Sequence, residues 1–149
     1  MSGKDRNHIE LENFWPYQAV VLADQISRHT LSIVKAEAGL NLSQWRVLAA
    51  VAEKPGRTAR DVTDFTPMDK TIVSRAVSSL IKMGLIKKTP DKRDKRQLFL
   101  VATPKGRDIY ENVAAQLNIA LIDSFDTDTA PDEFLRALKA FSLKMRDLI

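Results

Sequence analysis

The amino-acid sequence predicts a mainly α-helical fold with one small β-hairpin, in the order ααααββαα. Three observations carry that expectation. Apolar residues recur at helical spacing through most of the chain. Residues that cap or break helices punctuate it at short intervals. Between residues 85 and 102 the helical pattern gives way to two short apolar-containing stretches around a charged centre. A length of 149 residues supports a compact core without cross-links. A hydrophobic share of 44% with 28% charged residues is that of an ordinary globular chain, not of a disordered or membrane one.

The elements follow in order. From Phe14 to about Ala38, Val20, Val21, Ile26, Leu31, Ile33 and Val34 recur at helical spacing and lead to Gly39, a helix-stopping residue, so one long helix is expected. Ser43 is placed to cap a second helix through Trp45, Val47, Leu48 and Val51 to about Lys54, where Pro55-Gly56 breaks it. In Thr58-Ala59-Arg60-Asp61, Thr58 can accept from the third backbone N–H while Asp61 favours the positive helix end, which starts a short helix to about Phe65. Thr66-Pro67-Met68-Asp69 repeats that spacing and puts proline at the first helical position. A fourth helix is therefore expected after almost no loop, running to Gly84 with Ile72, Val73, Ala76, Val77, Leu80 and Ile81 as its core face.

Residues 85–89 and 97–102 then read as two strands flanking the charged tip 90–96, a β-wing. Thr103-Pro104 restarts a helix through Ile109, Val113, Leu117 and Leu121 to about Phe125. Thr129, with Pro131, Asp132 and Glu133, opens the last helix, whose Phe134, Leu135, Leu138, Phe141 and Met145 keep helical spacing.

Charge narrows the function. The chain carries +4 overall. Residues 41–107 hold 15 Lys and Arg against 6 Asp and Glu, whereas residues 1–40 hold 4 against 5 and residues 108–149 hold 4 against 8. A basic centre between mildly acidic ends points to one segment facing a polyanion. The absence of cysteine excludes disulfides, thiolate metal sites and thiol-based sensing. The polar start lacks the pattern of a secretory signal, and the longest apolar run, 47–52, is far short of the roughly 20 residues that span a bilayer. A cytoplasmic location with no membrane partner is expected. With two histidines and no Gly-rich phosphate loop, metal-ligand cluster or nucleophile motif, the chain is expected to be no enzyme and to need no cofactor.

The helices at 58–65 and 69–83, joined by a tight turn, have the dimensions of a helix-turn-helix. Opposite the apolar stripe of the second lie Lys70, Thr71, Ser74, Arg75, Ser78, Ser79 and Lys82, with no acid after Asp69. A merely solvated helix mixes Glu with Lys to gain i,i+4 pairs, whereas small hydroxyls between bases let a backbone approach a groove. Arg75 suits bidentate donation to guanine, and Thr71, Ser74 and Ser78 suit phosphates or base edges. The tip Asp91-Lys92-Arg93-Asp94-Lys95-Arg96 adds four bases and two acids on a protruding ribbon. Alone it reads equally well as a hairpin kept charged to stay unpaired. Beside a helix-turn-helix it fits the minor groove, with Arg96 inserted and Asp94 holding it extended.

At these residues the sequence resembles the MarR family of winged-helix regulators. The resemblance lies in Leu42-Ser43-Gln44-Trp45-Arg46-Val47-Leu48, Asp69-Lys70-Thr71-Ile72-Val73-Ser74-Arg75-Ala76-Val77, Gly84-Leu85-Ile86, and Asp91-x-Arg93-Asp94-x-Arg96 leading to Thr103-x-x-Gly106. It departs at Ala102, where the family usually has Leu, which bears on packing at the base of the wing. The resemblance implies a winged helix-turn-helix in which Asp94 and Arg96 form the family's wing pair and residues 69–83 its recognition helix. It also implies obligate dimers, and a cleft for small aromatic or phenolic effectors that Trp15, Tyr17, His29, Trp45 and Arg46 could line.

The outer helices carry more apolar residues than one stripe needs, Phe14, Trp15, Ile119, Ile122, Phe141 and Leu148 among them, and this surplus also favours a homodimer. The expected organisation is an N-terminal dimerisation helix over 1–39, a DNA-binding lobe over 40–103 and C-terminal dimerisation helices over 104–149. The expected function is a sequence-specific transcriptional regulator of double-stranded DNA, a ligand-responsive repressor on a pseudo-palindromic operator. A winged-helix module for protein contact without DNA binding is the alternative.

Overall fold

A computed structural model describes residues 6–125 and 131–149. The elements are α1 (Trp15–Ala38), α2 (Leu42–Glu53), α3 (Ala59–Phe65), α4 (Lys70–Lys82), β1 (Ile86–Pro90), β2 (Leu98–Ala102), α5 (Pro104–Asn118) and α6 (Pro131–Asp147), with a 3-10 turn at Leu11–Asn13 and a π-helical turn at Ile119–Asp123. The order is the expected one. The chain divides into two compact units, Met1–Leu117 and Asn118–Ile149.

In the first unit α2 is central, packing on α1, α3, α4 and β2. It buries Trp45, Val47, Leu48, Ala50 and Val51 against Val34 of α1, Val62 of α3, Val73, Ala76, Val77 and Leu80 of α4, and Leu85, Ile86, Leu100 and Val113. Each fully buried Leu or Val contributes about 1.5–3 kcal/mol. On α4 the core face is narrower than its apolar pattern: Ile72 and Ile81 flank it and remain partly exposed, at 40% and 37%.

Two helix starts differ from expectation. The cap of α2 is Asn41, not Ser43. The Asn41 side chain accepts from Gln44 N–H at 2.8 Å and the Gln44 side-chain oxygen accepts from Asn41 N–H at 2.9 Å, a reciprocal box that satisfies two end donors and leaves Ser43 inside the helix. At the fourth helix Thr66 and Pro67 do not begin the element. Thr66 closes α3 through its N–H and hydroxyl, both donating to the Val62 carbonyl, and Asp69 caps α4 by accepting from Ile72 N–H at 2.8 Å. Pro67 thus lies in the turn, which buried Met68 pins to the core. Thr58 and Asp61 form their capping box as expected.

Helix α4 ends one turn later in a Schellman arrangement: Leu85 N–H donates to the Leu80 carbonyl at 2.9 Å and Gly84 N–H to the Ile81 carbonyl at 3.0 Å, with Gly84 at φ 74°. Leu80 and Leu85, both buried, supply its apolar contact. β1 and β2 pair antiparallel from Ile86↔Ala102 to Pro90↔Leu98. Arg57 adds a bridge on the other edge of β2, where Leu100 N–H donates to its carbonyl at 2.8 Å.

Thr103 joins wing and α5. Its hydroxyl donates to the Gly84 carbonyl at 2.6 Å and accepts from Gly106 N–H at 3.1 Å, while its own N–H donates to the Leu85 carbonyl at 3.0 Å. A Cβ at Gly106 would lie 1.9 Å from the Leu85 oxygen, so only glycine allows this approach.

The α-helical part of α5 stops at Asn118 rather than near Phe125, because the ladder widens to i→i+5: Ser124 N–H and hydroxyl both donate to the Ile119 carbonyl, at 3.1 and 2.7 Å. The expected opening of the last helix at Thr129 lies outside the described residues. In α6 every residue from Asp132 onward is exposed, Leu138 at 46% and Leu143 at 62% included.

Candidate nucleic-acid interface

The interface is built on α4 and the β1–β2 hairpin. Burial of Val73, Ala76, Val77 and Leu80 fixes the roll of α4. At 100° per residue this leaves Thr71, Ser74, Arg75, Ser78 and Lys82 within about 100° of arc on the opposite side, and all five are exposed. Lys70 is exposed at the first helical position and Ser79 is half-buried at the border. The helix is about 20 Å long, and its outward face has no branched apolar side chain or acid to obstruct close approach.

In the wing, β1 turns only Ile86 inward. The tip residues Lys92, Arg93, Asp94, Lys95 and Arg96 are all exposed. The Asp94 carboxylate accepts the backbone N–H of Arg96 at 3.0 Å. It therefore shapes the turn that carries Arg96. Among the described residues the ion pairs are Arg28–Asp24 on α1 and Arg57–Glu53 at the end of α2, so no acid engages the cations of α4 or of the tip. Unpaired cations and short hydroxyls on a helix and an adjoining ribbon together offer donors to phosphate oxygens and base edges.

Sequence reasoning missed Arg57, Lys87 and Lys88. Arg57 donates to the Ala50 carbonyl at 2.6 Å and to Glu53 at 2.7 Å, and lies 4.4 Å from the ring centroid of Phe65, bracing the inner edge of the wing. Its i,i+4 relation to Glu53 was the available signal. Lys87 and Lys88 are exposed on β1, where they add charge and discourage edge pairing.

The five residues expected to line an effector cleft are not gathered by one chain. Trp45 is 7% exposed and stacks on Tyr110 at 5.8 Å between centroids. Arg46 Nη2 reaches Ser27 Oγ at 3.4 Å, two residues from exposed His29. Trp15 and Tyr17, also exposed, lie some 15–18 Å further along α1 from Ser27 by helical rise. Among the described residues no group of acids and histidines is placed to hold a metal ion, and no helix is long and apolar enough to cross a membrane.

A helix-turn-helix whose second helix presents hydroxyls and bases, followed by a basic hairpin, defines a winged helix-turn-helix lobe. Residues 38–97 match the model of the MarR family. The uncharacterized HTH-type transcriptional regulator YybA of Bacillus subtilis (strain 168) is 31% identical over 71 residues, 48% of this chain and 47% of that protein. The chain thus spans about half the length of the curated relatives it matches first. Over nearly the whole chain the fold is similar to two solved structures. An uncharacterized SlyA-like transcription regulator from Listeria monocytogenes has 25% identity and a TM-score of 0.75, with 87% of each chain covered. CouR from Rhodococcus jostii RHA1, bound to p-coumaroyl-CoA, has 19% identity and a TM-score of 0.80, with 93% of this chain and 95% of that one covered. The lobe resembles those of the MarR family over residues 38–97, and the Bacillus and Listeria proteins to which the chain is similar are named as transcriptional regulators.

Proposed function

We propose that the chain binds double-stranded DNA sequence-specifically as a homodimer, in the cytoplasm, and represses transcription from a pseudo-palindromic operator until a small aromatic or phenolic effector releases it. One observation carries the reading: every cation and hydroxyl assigned to DNA on α4 and the wing is exposed and free of acid partners, on a lobe that resembles those of the MarR family. In this arrangement α4 enters the major groove, Arg75 donates to guanine, and Lys70, Thr71, Ser74 and Ser78 reach phosphates or base edges. Arg93, Lys95 and Arg96 meet the backbone and the minor groove, with Arg96 inserted and Asp94 shaping its turn.

The apolar stripe of α6 and the exposed apolar side chains of α1, Val20 at 67% among them, each support a second copy as partner. A two-fold axis would then place two recognition helices roughly 34 Å apart. The effector class is supported by the p-coumaroyl-CoA bound to CouR, and Trp15, Tyr17, His29, Trp45 and Arg46 stay the candidate lining residues.

The test is a fluorescence anisotropy titration of the full chain against the duplex that precedes its own reading frame, between 50 and 200 mM salt. Arg75→Ala is expected to weaken binding by about 1–3 kcal/mol and to relax specificity at one base pair. Arg96→Ala is expected to weaken binding and to lower the slope of log K against log salt by about one. Unchanged curves for both variants would remove the site assignment, and a parent chain indifferent to duplex at low salt would overturn the DNA reading.

A further inference from the structure

The wing tip is a tandem repeat, Asp91-Lys92-Arg93 followed by Asp94-Lys95-Arg96. Its halves are alike at the side chain and unlike at the main chain. In each, the aspartate Oδ1 accepts the backbone N–H of the arginine two residues on, at 2.9 Å for Asp91 and Arg93 and 3.0 Å for Asp94 and Arg96. Such a bond sets the backbone of the intervening residue and hence the direction in which the arginine leaves the chain. The second half has an additional clamp, because Gln97 N–H donates to the Asp94 carbonyl at 3.0 Å. The first half has none. Among the described residues the Asp91 carboxylate is the one hydrogen-bond partner of Arg93, and no hydrogen bond fixes Lys92. Asp91 is itself anchored, its N–H donating to the Gln97 carbonyl at 3.0 Å, and it is half-buried where residues 92–98 are exposed.

We propose that Asp91 is a positioning residue for DNA binding: its carboxylate holds the 92–93 backbone so that Arg93 projects beside Arg96, and the wing engages the duplex through two arginines. This rests on the DNA reading above. It predicts the opposite sign to charge alone. A carboxylate next to a polyanion repels it, so on charge grounds both Asp91→Ala and Asp91→Asn tighten binding. Positioning requires that Asp91→Ala weaken it, although a negative charge has gone, and that Asp91→Asn, whose amide oxygen accepts the same hydrogen bond, bind at least as tightly as the parent.

The experiment is the anisotropy titration of the full chain on the same duplex, with thermal melts to show that each variant stays folded. Asp91→Ala is expected to lose roughly three- to tenfold in affinity, the scale of one net hydrogen bond. Asp94→Ala is expected to lose less, since the Gln97 clamp remains. The double variant Asp91→Ala/Arg93→Ala should bind no more weakly than Arg93→Ala alone, the non-additivity that separates positioning of Arg93 from a general loosening of the lobe. Tighter or equal binding by Asp91→Ala, an equal loss in Asp91→Asn, or additive losses in the double variant would each overturn the proposal while leaving the DNA reading intact. Failure of the parent to bind at low salt would overturn the DNA reading itself.

Discussion

Gly106→Ala is a sharp test of how the wing is tied to α5, because two physical effects act in opposite directions. Helix propensity alone favours the change, since alanine in a helix is about 1 kcal/mol better than glycine. The structure opposes it. The new methyl carbon would sit 1.9 Å from the Leu85 oxygen, 2.8 Å from its carbonyl carbon and 3.1 Å from its Cα, against ordinary contact beginning at 3.4 Å. All three are main-chain atoms of a residue buried at the C-terminal end of α4, so no side chain can swing aside. Relief requires α5 to retreat by about 1.5 Å. That movement stretches the 3.0 Å bond from Thr103 N–H to Leu85 and the 2.6 Å bond from the Thr103 hydroxyl to Gly84 beyond useful length.

Overpacking costs about 1–3 kcal/mol and each lost bond about 1 kcal/mol. After the gain in propensity, the net destabilisation is about 2–4 kcal/mol. For a chain of this size the melting temperature should fall by roughly 5–15 °C, read by circular dichroism or calorimetry. A melting temperature unchanged or raised would refute the close approach and leave propensity as the governing term.

The α6 surface makes a second prediction: Leu135→Asp with Leu138→Asp should convert a dimer to a monomer in sedimentation velocity, since charges on the apolar stripe bar it from a partner. An oligomeric state unaffected by the pair would remove α6 from the interface. At the start of α2, Asn41→Ala should destabilise by about 1 kcal/mol in denaturant titration while Ser43→Ala stays near neutral. The reverse order would return the cap to Ser43.

Much of the fold was legible because short-range chemistry wrote it. The Thr58–Asp61 box, the stop at Gly39 and the restart at Thr103-Pro104 each involve residues within one helical turn of each other, and each stands where the pattern placed it. The two misplaced helix starts show the limit of that rule. Asn41 and Ser43 are both competent caps, as are Thr66 and Asp69, and proximity to the first apolar residue does not choose between them. Tertiary placement does: buried Leu40 and Met68 fix where the chain enters each helix, and the side chain then nearest the free N–H groups becomes the cap.

The candidate interface was legible for a similar reason. A face of hydroxyls and bases opposite an apolar stripe is a one-dimensional pattern, and the burial of Val73, Ala76, Val77 and Leu80 turned that face outward as periodicity required. Which residues would line a cleft is not legible in the same way, because a cleft depends on distances between helices, which spacing along one chain does not contain.

From the residue order alone came the kinds of elements, their succession, the basic centre and the helix face that carries it, all consequences of periodicity and charge. The three-dimensional arrangement decided which acid holds which backbone N–H at the wing tip, why residue 106 has no side chain, and that Arg57 braces the hairpin. Those outcomes depend on atoms brought within 3 Å from distant positions in the chain, or on a choice between neighbouring donors and acceptors that only the folded backbone makes.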